Sequence, residues 1–287
     1  MGIELRTLIT GASGFIGRNF LDNRPKGELH ILTRAPIFYP IQELHSHIGD
    51  INNLGTLHDL ANLKFDRVIH LAWEGLPNLS VENNEKNFSA TMRFFSSMIK
   101  SGVQEIITIG SCLEYGDLTG CVSEDVSGQN IDHFGRTKLE LLDFLKQQSI
   151  DFYWIRLFYA FGPYQHPKSL LNRGLESRAL KQVLELREPN AAKDFIYIKD
   201  AIKAIELLID SPAESGVYNV GSGTLTSPAV MLKYLFDALP NAFELHESNL
   251  IGLQADLGKI KNACGWEPEY SSKEGVDDYK KWISQNA

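Results

Sequence analysis

The sequence lacks the features that mark secreted, membrane-spanning or nucleic-acid-binding proteins. Its three cysteines, Cys112, Cys121 and Cys264, have no CxxC spacing, which disfavours a disulfide framework and a thiolate metal site. No run of 18 apolar residues is present, and the amino terminus lacks the pattern of a secretory signal. The formal net charge is -8 and the basic residues are scattered, which argues against nucleic acid or an anionic membrane as partner. We therefore expect a cytoplasmic globular protein.

The first half of the chain alternates apolar runs, such as RTLIT and DRVIHLA, with amphipathic segments. Continuous apolar strands separated by helices are typical of a parallel sheet covered on both faces, so we predict an α/β fold with a doubly wound parallel (Rossmann) sheet. Beyond about residue 160, proline and glycine separate shorter helical patterns. We predict a dinucleotide-binding domain over residues 1–160 and a smaller C-terminal substrate lobe over 161–287, with about 194–222 returning to the first domain.

The first strand-to-helix turn carries glycines at three-residue intervals. The segment reads LITGASGFIGRNFL, with Gly11, Gly14 and Gly17 between an apolar strand and a helix. Glycines there permit a tight turn, let backbone N–H groups approach a pyrophosphate and allow close packing of helix on strand. The helix amino terminus also favours negative charge. We predict a dinucleotide site at this turn.

The end of the second strand bears on which dinucleotide is bound. NAD sites usually carry a carboxylate there to accept the ribose 2'-hydroxyl, whereas this strand ends in Thr33 and Arg34. A guanidinium attracts a 2'-phosphate, and Arg18, just after the third glycine, offers a second cation. We predict NADP(H) as the favoured cofactor, with NAD(H) as the alternative.

An ordered set of motifs runs along nearly the whole chain. The segments are TGASGFIG (10–17), GDI (49–51), VIHLAW (68–73), NFSAT (87–91), GSCLEYG (110–116), RLFYAFGP (156–163), KDFIYIKD (193–200) and GVYNVGSG (216–223). In this order they resemble the extended short-chain dehydrogenase/reductase family, which comprises nucleotide-sugar epimerases, dehydratases and reductases. The resemblance implies a nucleotide-diphosphate sugar as substrate and a homodimer formed through two helices.

The resemblance also implies catalytic positions at Ser111, Phe134 and Lys138. In the family a serine or threonine binds the carbonyl oxygen, a tyrosine supplies the proton, and a lysine four residues later lowers the tyrosine pKa and binds the nicotinamide ribose. The expected cofactor-binding residues are Gly11, Ser13, Gly14, Phe15, Ile16, Gly17, Arg18, Thr33, Arg34, Asp50, Ile51, Leu71, Ala72, Trp73, Asn87, Lys138 and Phe158. The expected substrate-binding residues are Trp73, Ser111, Tyr115, Tyr159, His166, Arg173 and Lys193.

Position 134 departs from the family pattern, because phenylalanine cannot carry a proton. Three explanations remain open. The chain is an engineered Tyr-to-Phe variant that binds substrate without turnover, or a natural member whose proton comes from His133, Tyr115 or a water bound to Ser111. In the third explanation it is a binding protein that has lost catalysis. The otherwise intact motif favours the first.

The residues after Ser111 limit the classes of reaction that the protein is expected to catalyse. Dehydratases of the family place Asp-Glu there, where this chain has Cys112 and Leu113, so dehydration is not expected. We predict an NADP(H)-dependent reductase of a nucleotide-linked 4-keto-6-deoxy sugar. The alternatives are a 4-epimerase that retains NAD and a catalytically silent NADP-binding regulatory or scaffold protein.

One histidine pair has metal-ligand spacing. His45 and His47 would share a face of a strand, but the sequence shows no third ligand beside them. We therefore predict no metal site.

Overall fold

The computed structural model describes residues 5–23, 27–37, 39, 41, 44–182, 184–186, 188–189, 191–236 and 250–286. Within these residues the strands are β1 (Arg6–Thr10), β2 (Glu28–Thr33), β3 (Leu44–Ile48), β4 (Arg67–His70), β5 (Glu105–Ile109), β6 (Gly120–Val122), β7 (Asp151–Leu157), β8 (Tyr159–Phe161), β9 (Lys193–Tyr197), β10 (Gly216–Val220), β11 (Leu225–Thr226) and β12 (Leu253–Ala255). The helices are α1 (Phe15–Asp22), α2 (Leu54–Asn62), α3 (Val81–Ser101), α4 (His133–Lys146), α5 (Leu170–Ala179), α6 (Ile198–Asp210), α7 (Pro228–Phe236), α8 (Gly258–Cys264) and α9 (Ser272–Asn286). Among the helices described, none is long and apolar enough to cross a lipid bilayer.

The main sheet has seven strands in the order β10, β7, β5, β4, β1, β2, β3. Strand β1 pairs in parallel with β2 on one side and with β4 on the other, and β5 pairs in parallel with β4 and β7. Because the chain moves outward from β1 in both directions, the carboxyl ends of β1 and its neighbours form the switch point where ligands bind in such sheets. The predicted doubly wound fold is confirmed.

The chain divides into two compact units. The first comprises residues up to Glu114, Ile131–Arg156 and Glu214–Val217, and the second comprises Tyr115–Asn130, Leu157–Ala213 and the residues from Tyr218 onward. The division at residue 156 lies near the sequence-based boundary at 160, whereas residues 115–130 belong to the second unit.

The core of the first unit explains why its strands are apolar. Leu8, Val68 and Ile106, from three neighbouring strands, are fully buried against one face of α3. That face carries Phe94, Phe95 and Met98. Helix α3 is capped at its start by Ser80, whose side chain accepts a hydrogen bond from the Asn83 amide, and at its end by Gly102, whose φ is 107°.

Helix α4 is fixed at its start by Asp132, whose side chain accepts a 2.7 Å hydrogen bond from the Gly135 amide. Its buried face includes Phe134, Lys138 and Leu142, which lie one helical turn apart. The cap and the helical period together place residues 134 and 138 on the same side of the helix, as the sequence spacing predicts.

The second unit contains two small sheets. One has the order β11, β9, β8, and the other pairs β12 with β6. Asp194, at the start of β9, is fully buried and accepts hydrogen bonds from the amides of Ser222, Gly223 and Ala255. This carboxylate joins three segments of the unit, which explains an acidic residue in a buried strand.

Candidate active site

The glycine turn after β1 has the close contacts that exclude side chains. Gly11 has a φ of 76°, and a Cβ on it would lie 2.6 Å from the backbone nitrogen of Ala72. A Cβ on Gly17 would collide with the carbonyl oxygen of Gly11. The turn therefore packs closely against the residues that follow β4, and α1 packs closely against the turn.

A cavity opens above the ends of β1, β2 and β4 in the first unit. It is lined by Thr10, Gly11, Ser13, Gly14, Leu32, Thr33, Arg34, Gly49, Asp50, Ile51, Asn52, Leu71, Ala72, Trp73, Glu74, Lys86, Asn87 and Ala90. Most of the expected cofactor-binding residues are therefore brought together. Those of the expected set that do not line it are Phe15, Ile16, Gly17, Arg18, Lys138 and Phe158.

Two buried polar atoms at this cavity have no hydrogen-bond partner among the residues that the structure describes. They are the Thr33 Oγ1 and the Trp73 Nε1, both on residues that line the cavity. A buried hydroxyl or indole N–H left without a hydrogen bond costs stability, so such atoms mark a place where a ligand supplies the missing partner. The residues present fit a dinucleotide, because the glycine turn offers backbone donors for phosphates and these atoms offer side-chain donors.

The charged residues at the cavity form a triplet that the sequence did not reveal. The Arg34 Nη1 lies 2.8 Å from Glu74 Oε1, and the Lys86 Nζ lies 3.2 Å from Glu74 Oε2. The hydrogen bonds from Arg34 and Lys86 hold the pKa of Glu74 below its usual value. Residues 34 and 74 meet because β2 and β4 both flank β1, and no sequence pattern links them.

Asn87, expected to contact the cofactor, also holds the backbone beside Glu74. Its Oδ1 accepts a 2.7 Å hydrogen bond from the Glu74 amide, and its Nδ2 donates to the Glu74 carbonyl at 3.0 Å. Asp50 accepts hydrogen bonds from the amide and side chain of Asn52, and the amide bond is the main cause of its lowered pKa. Both side chains therefore shape the cavity wall.

Lys138 and Phe134 meet Trp73, which connects α4 with the cavity. The Lys138 Nζ lies 3.6 Å from the centroid of the Trp73 ring and 5.6 Å from that of Phe134, and it donates a 2.9 Å hydrogen bond to the Ile109 carbonyl. Phe134 packs edge-on against Trp73 with ring centroids 5.6 Å apart. Phe134 thus occupies its position as a packed ring beside the lysine.

Burial lowers the pKa of Lys138 to about 7, against the weaker opposing effect of Glu114. Burial of a charged ammonium group reduces the stability of the fold, and such a group is kept where function requires it. The lysine is thus poised to change its charge near neutral pH, which suits a group that takes part in proton transfer.

Lys138→Met is expected to stabilise the fold at or below pH 7. The folded-state pKa lies below the unfolded one, so the unfolded chain binds the extra proton between pH 7 and 10.5 and wild-type stability rises across this window. The gain from methionine should therefore be largest below pH 7 and vanish near pH 10. Urea unfolding of both proteins at pH 6, 8 and 10 measures this, and a gain that did not depend on pH would contradict it.

Ser111 follows the end of β5 in a conformation that leaves its proton available. Its Oγ accepts a 3.1 Å hydrogen bond from the Leu113 amide, and its own amide donates to Glu114 Oε1 at 2.7 Å. A hydroxyl that accepts one bond can still donate its hydrogen to a substrate oxygen. Ser111 can therefore orient a carbonyl oxygen.

Glu114 is the buried functional neighbour that sequence reasoning missed. Besides Ser111, it accepts hydrogen bonds from Trp154 Nε1 at 3.0 Å and from Arg156 Nε at 2.7 Å. Its side chain is fully buried. Position 110, just before Ser111, requires glycine because a Cβ there would collide with the Trp154 indole. The carboxylate thereby fixes the backbone of the segment that carries Ser111.

In the second unit, two expected substrate residues line a separate cavity. The Lys193 Nζ lies 4.4 Å from the centroid of the Tyr159 ring, and both residues line this cavity with Gln165 and Ser169. Among the residues that the structure describes, the buried Ser169 Oγ has no hydrogen-bond partner, whereas the Gln165 side chain forms a hydrogen bond with Tyr279. The cavity thus combines the Lys193 cation and the Glu188 carboxylate with one unpaired hydroxyl, a set that suits a polar ligand.

The remaining expected residues of this unit lie elsewhere. Tyr115 is fully buried, and its hydroxyl donates to Asn219 Oδ1 at 2.8 Å and approaches the Ser123 carbonyl at 3.1 Å. This packing gives no support to Tyr115 as a proton donor or sugar neighbour. Phe158 is also buried, with its ring centroid 6.4 Å from that of Tyr115. His166 and Arg173 are exposed and do not line the cavity.

Comparison with known proteins extends these observations. Residues 7–221 match the model of the NAD dependent epimerase/dehydratase family. The chain is 26% identical to the uncharacterized UDP-glucose epimerase YtcB of Bacillus subtilis over 98% of both chains. It is 23% identical to the dTDP-4-dehydro-6-deoxyglucose reductase of Escherichia coli over 96% of both chains.

Similarity to solved structures supports the fold. The structure of MoeE5 in complex with UDP-glucuronic acid and NAD superposes with a TM-score of 0.83, at 23% identity, and covers 98% of this chain and 100% of that one. At that identity the likeness establishes the architecture alone. The match of the family model spans more than half of the sequence, and the chain belongs to the NAD dependent epimerase/dehydratase family.

Proposed function

We propose that this protein is an NADP(H)-dependent reductase of a nucleotide-linked 4-keto-6-deoxy sugar. The observation that carries the proposal is the position of Lys138, which contacts Trp73 at the wall of the cavity beside the glycine turn. The residues after Ser111 are Cys112 and Leu113, so no carboxylate pair for removing water is present at this point of the chain. Hydride transfer at a single sugar carbon needs no such pair.

Each part of the proposed site has a separate role. Bound NADPH would supply a hydride to the sugar carbonyl carbon. Ser111 donates its hydroxyl proton in a hydrogen bond to the carbonyl oxygen and so orients it. Lys138 would hold the ribose. Phe134 cannot supply the proton that the reduced oxygen must take up, so a water molecule bound to Ser111 would donate it. In the second unit, Lys193 and Tyr159 would bind a diphosphate at the cavity that they line.

The choice of NADP(H) rests on the charges at the end of β2. Arg34 and Lys86 are two cations that share one carboxylate, Glu74, so a 2'-phosphate can compete for them. The buried Thr33 hydroxyl has no protein partner and can donate to the same phosphate.

Arg34→Ala is expected to weaken NADP(H) binding about tenfold, roughly 1.4 kcal/mol, and to change NAD(H) binding little. Glu74→Gln should act in the opposite direction, because it removes the anion that competes with the 2'-phosphate. Fluorescence titration with NADPH and NADH measures both. Equal weakening of the two cofactors by Arg34→Ala would contradict the assignment.

A 4-epimerase that retains NAD is the second candidate, and a specific contact favours it. Glu74 already neutralises Arg34, and a carboxylate beside the adenosine ribose disfavours a 2'-phosphate. The MoeE5 structure holds NAD, and the Bacillus subtilis relative is named a UDP-glucose epimerase, which supports this reading.

One experiment separates the candidates. The protein is mixed with NADPH and a panel of nucleotide-linked 4-keto sugars, and NADPH absorbance and sugar products are followed together. A reductase consumes one NADPH for each sugar reduced. Interconversion of UDP-sugars without cofactor loss, with NAD retained through purification, would identify the epimerase. Cofactor binding without conversion, even after Phe134 is replaced by tyrosine, would identify a silent binding protein.

A further inference from the structure

A cluster of histidines lies on β2 and β3, outside the cavity described above. In the sheet register His30 pairs with His45 and Leu32 with His47. The centroid of the His30 ring lies 4.7 Å from that of His45 and 5.1 Å from that of His47. Glu28, two residues before His30, shares the same face of β2. Four side chains with nitrogen or oxygen donors therefore converge at one edge of the sheet.

The donor atoms have a spacing that a metal ion can use. One ligand atom from each of Glu28, His30 and His45 lies within 4.8 Å of the other two. The His30 Nε2 is 2.9 Å from Glu28 Oε1. Two ligands of a tetrahedral zinc ion are separated by about 3.3 Å, so this pair needs only a small outward shift. His45 is exposed and can rotate to complete the set.

We propose that Glu28, His30 and His45 form a binding site for one divalent transition-metal ion of the zinc type. Two imidazoles and one carboxylate suit a borderline-soft ion and leave a fourth position for water. The hard ions Mg²⁺ and Ca²⁺ prefer oxygen ligands and fit this set poorly.

His47 supports the site without binding the ion. Its Nε2 lies 2.8 Å from the Nδ1 of His30. When His30 binds a metal through Nε2, its Nδ1 carries the proton and donates it to His47. A ligand histidine held in this way by a hydrogen bond on its other nitrogen is the usual arrangement at metal sites.

Arg6 is the group that competes with the metal. Its Nε donates a 2.9 Å hydrogen bond to Glu28 Oε1, and its guanidinium lies 5.7 Å from the centroid of Phe65. The Arg6 side chain is one third exposed, so it can leave Oε1 while the carboxylate binds the ion. A positive neighbour weakens binding of a cation, and its removal should strengthen it.

The position in the fold gives the site a structural role. Strand β3 forms one edge of the seven-stranded sheet and pairs only with β2 within it. An ion bound by residues of both strands would join the edge strand to the sheet. The sequence shows only the His45 and His47 pair, because His30 and Glu28 reach it through strand pairing.

The test titrates the full-length protein with Zn²⁺ by isothermal calorimetry and with Co²⁺ by visible absorption. We expect one ion per chain, a tetrahedral Co²⁺ spectrum and a higher Tm in Zn²⁺. His45→Ala should weaken Zn²⁺ binding by more than about tenfold, and His47→Gln should weaken it by about 10- to 100-fold. Arg6→Met should strengthen it.

One substitution serves as a control against chance binding by surface histidines. His58, in α2, accepts a hydrogen bond from Asn62 and lies outside the cluster, so His58→Ala should leave Zn²⁺ binding unchanged. His45 is exposed, so its alanine variant should remain folded. Absence of Zn²⁺ binding below millimolar concentration, or binding that His45→Ala and His58→Ala weaken equally, would overturn the proposal.

Discussion

Phe134→Tyr is expected to increase the turnover of the preferred nucleotide sugar by about 10²- to 10⁴-fold, the usual contribution of a positioned general acid. The ring at position 134 already lies beside Lys138, with the ammonium nitrogen 5.6 Å from its centroid. A hydroxyl added there would share the environment of a lysine whose pKa is about 7. The initial rate of NADPH oxidation measures the change.

A matched control is available on the same helix. Phe144→Tyr adds a hydroxyl to α4 at a partly buried position away from Trp73 and should leave turnover unchanged. The double variant Phe134→Tyr with Lys138→Met should lose most of the gain, because the tyrosine pKa would no longer be lowered. If neither the wild type nor Phe134→Tyr turned over any sugar of a broad panel while cofactor binding persisted, the enzyme proposals would be wrong.

The parts of the site that depend on local sequence could be predicted. The glycine turn follows from backbone contacts within a strand, turn and helix, and the spacing of Phe134 and Lys138 follows from one helical turn. The fold class followed from alternating apolar runs. These features depend on contacts between residues that are close together in the chain, and a sequence pattern reflects such contacts directly.

The contacts that could not be predicted join residues far apart in the chain. Arg34 meets Glu74 across β1, His30 meets His45 across a strand pair, and Glu114 meets Arg156 from a neighbouring strand. Each of these contacts involves a charged or titratable side chain. When only the sequence is known, such a side chain is expected to be exposed to solvent. The family resemblance placed Tyr115 among the substrate residues, and in the structure its hydroxyl donates to Asn219 inside the second unit.

Glu114 shows most clearly how a buried charge can serve the site. Burial raises its pKa, while Arg156 and the donors of Ser111 and Trp154 act against that effect. Removing two charges from water is costly, so a pair of apolar residues would give equal or greater stability. The carboxylate nevertheless holds the Ser111 amide at 2.7 Å, which an apolar residue could not do. We infer that Glu114 is a positioning residue for Ser111.

Glu114→Gln is expected to reduce the free energy of unfolding by about 3–5 kcal/mol, because the buried Arg156 guanidinium would lose its anionic neighbour. Urea unfolding measures this loss.

The double variant Glu114→Leu with Arg156→Leu should be more stable than either single one, because it removes both charges. In the Phe134→Tyr background the double variant should still lower kcat, because Ser111 would no longer be held in place. A double variant with normal kcat would show that Glu114 acts on stability alone.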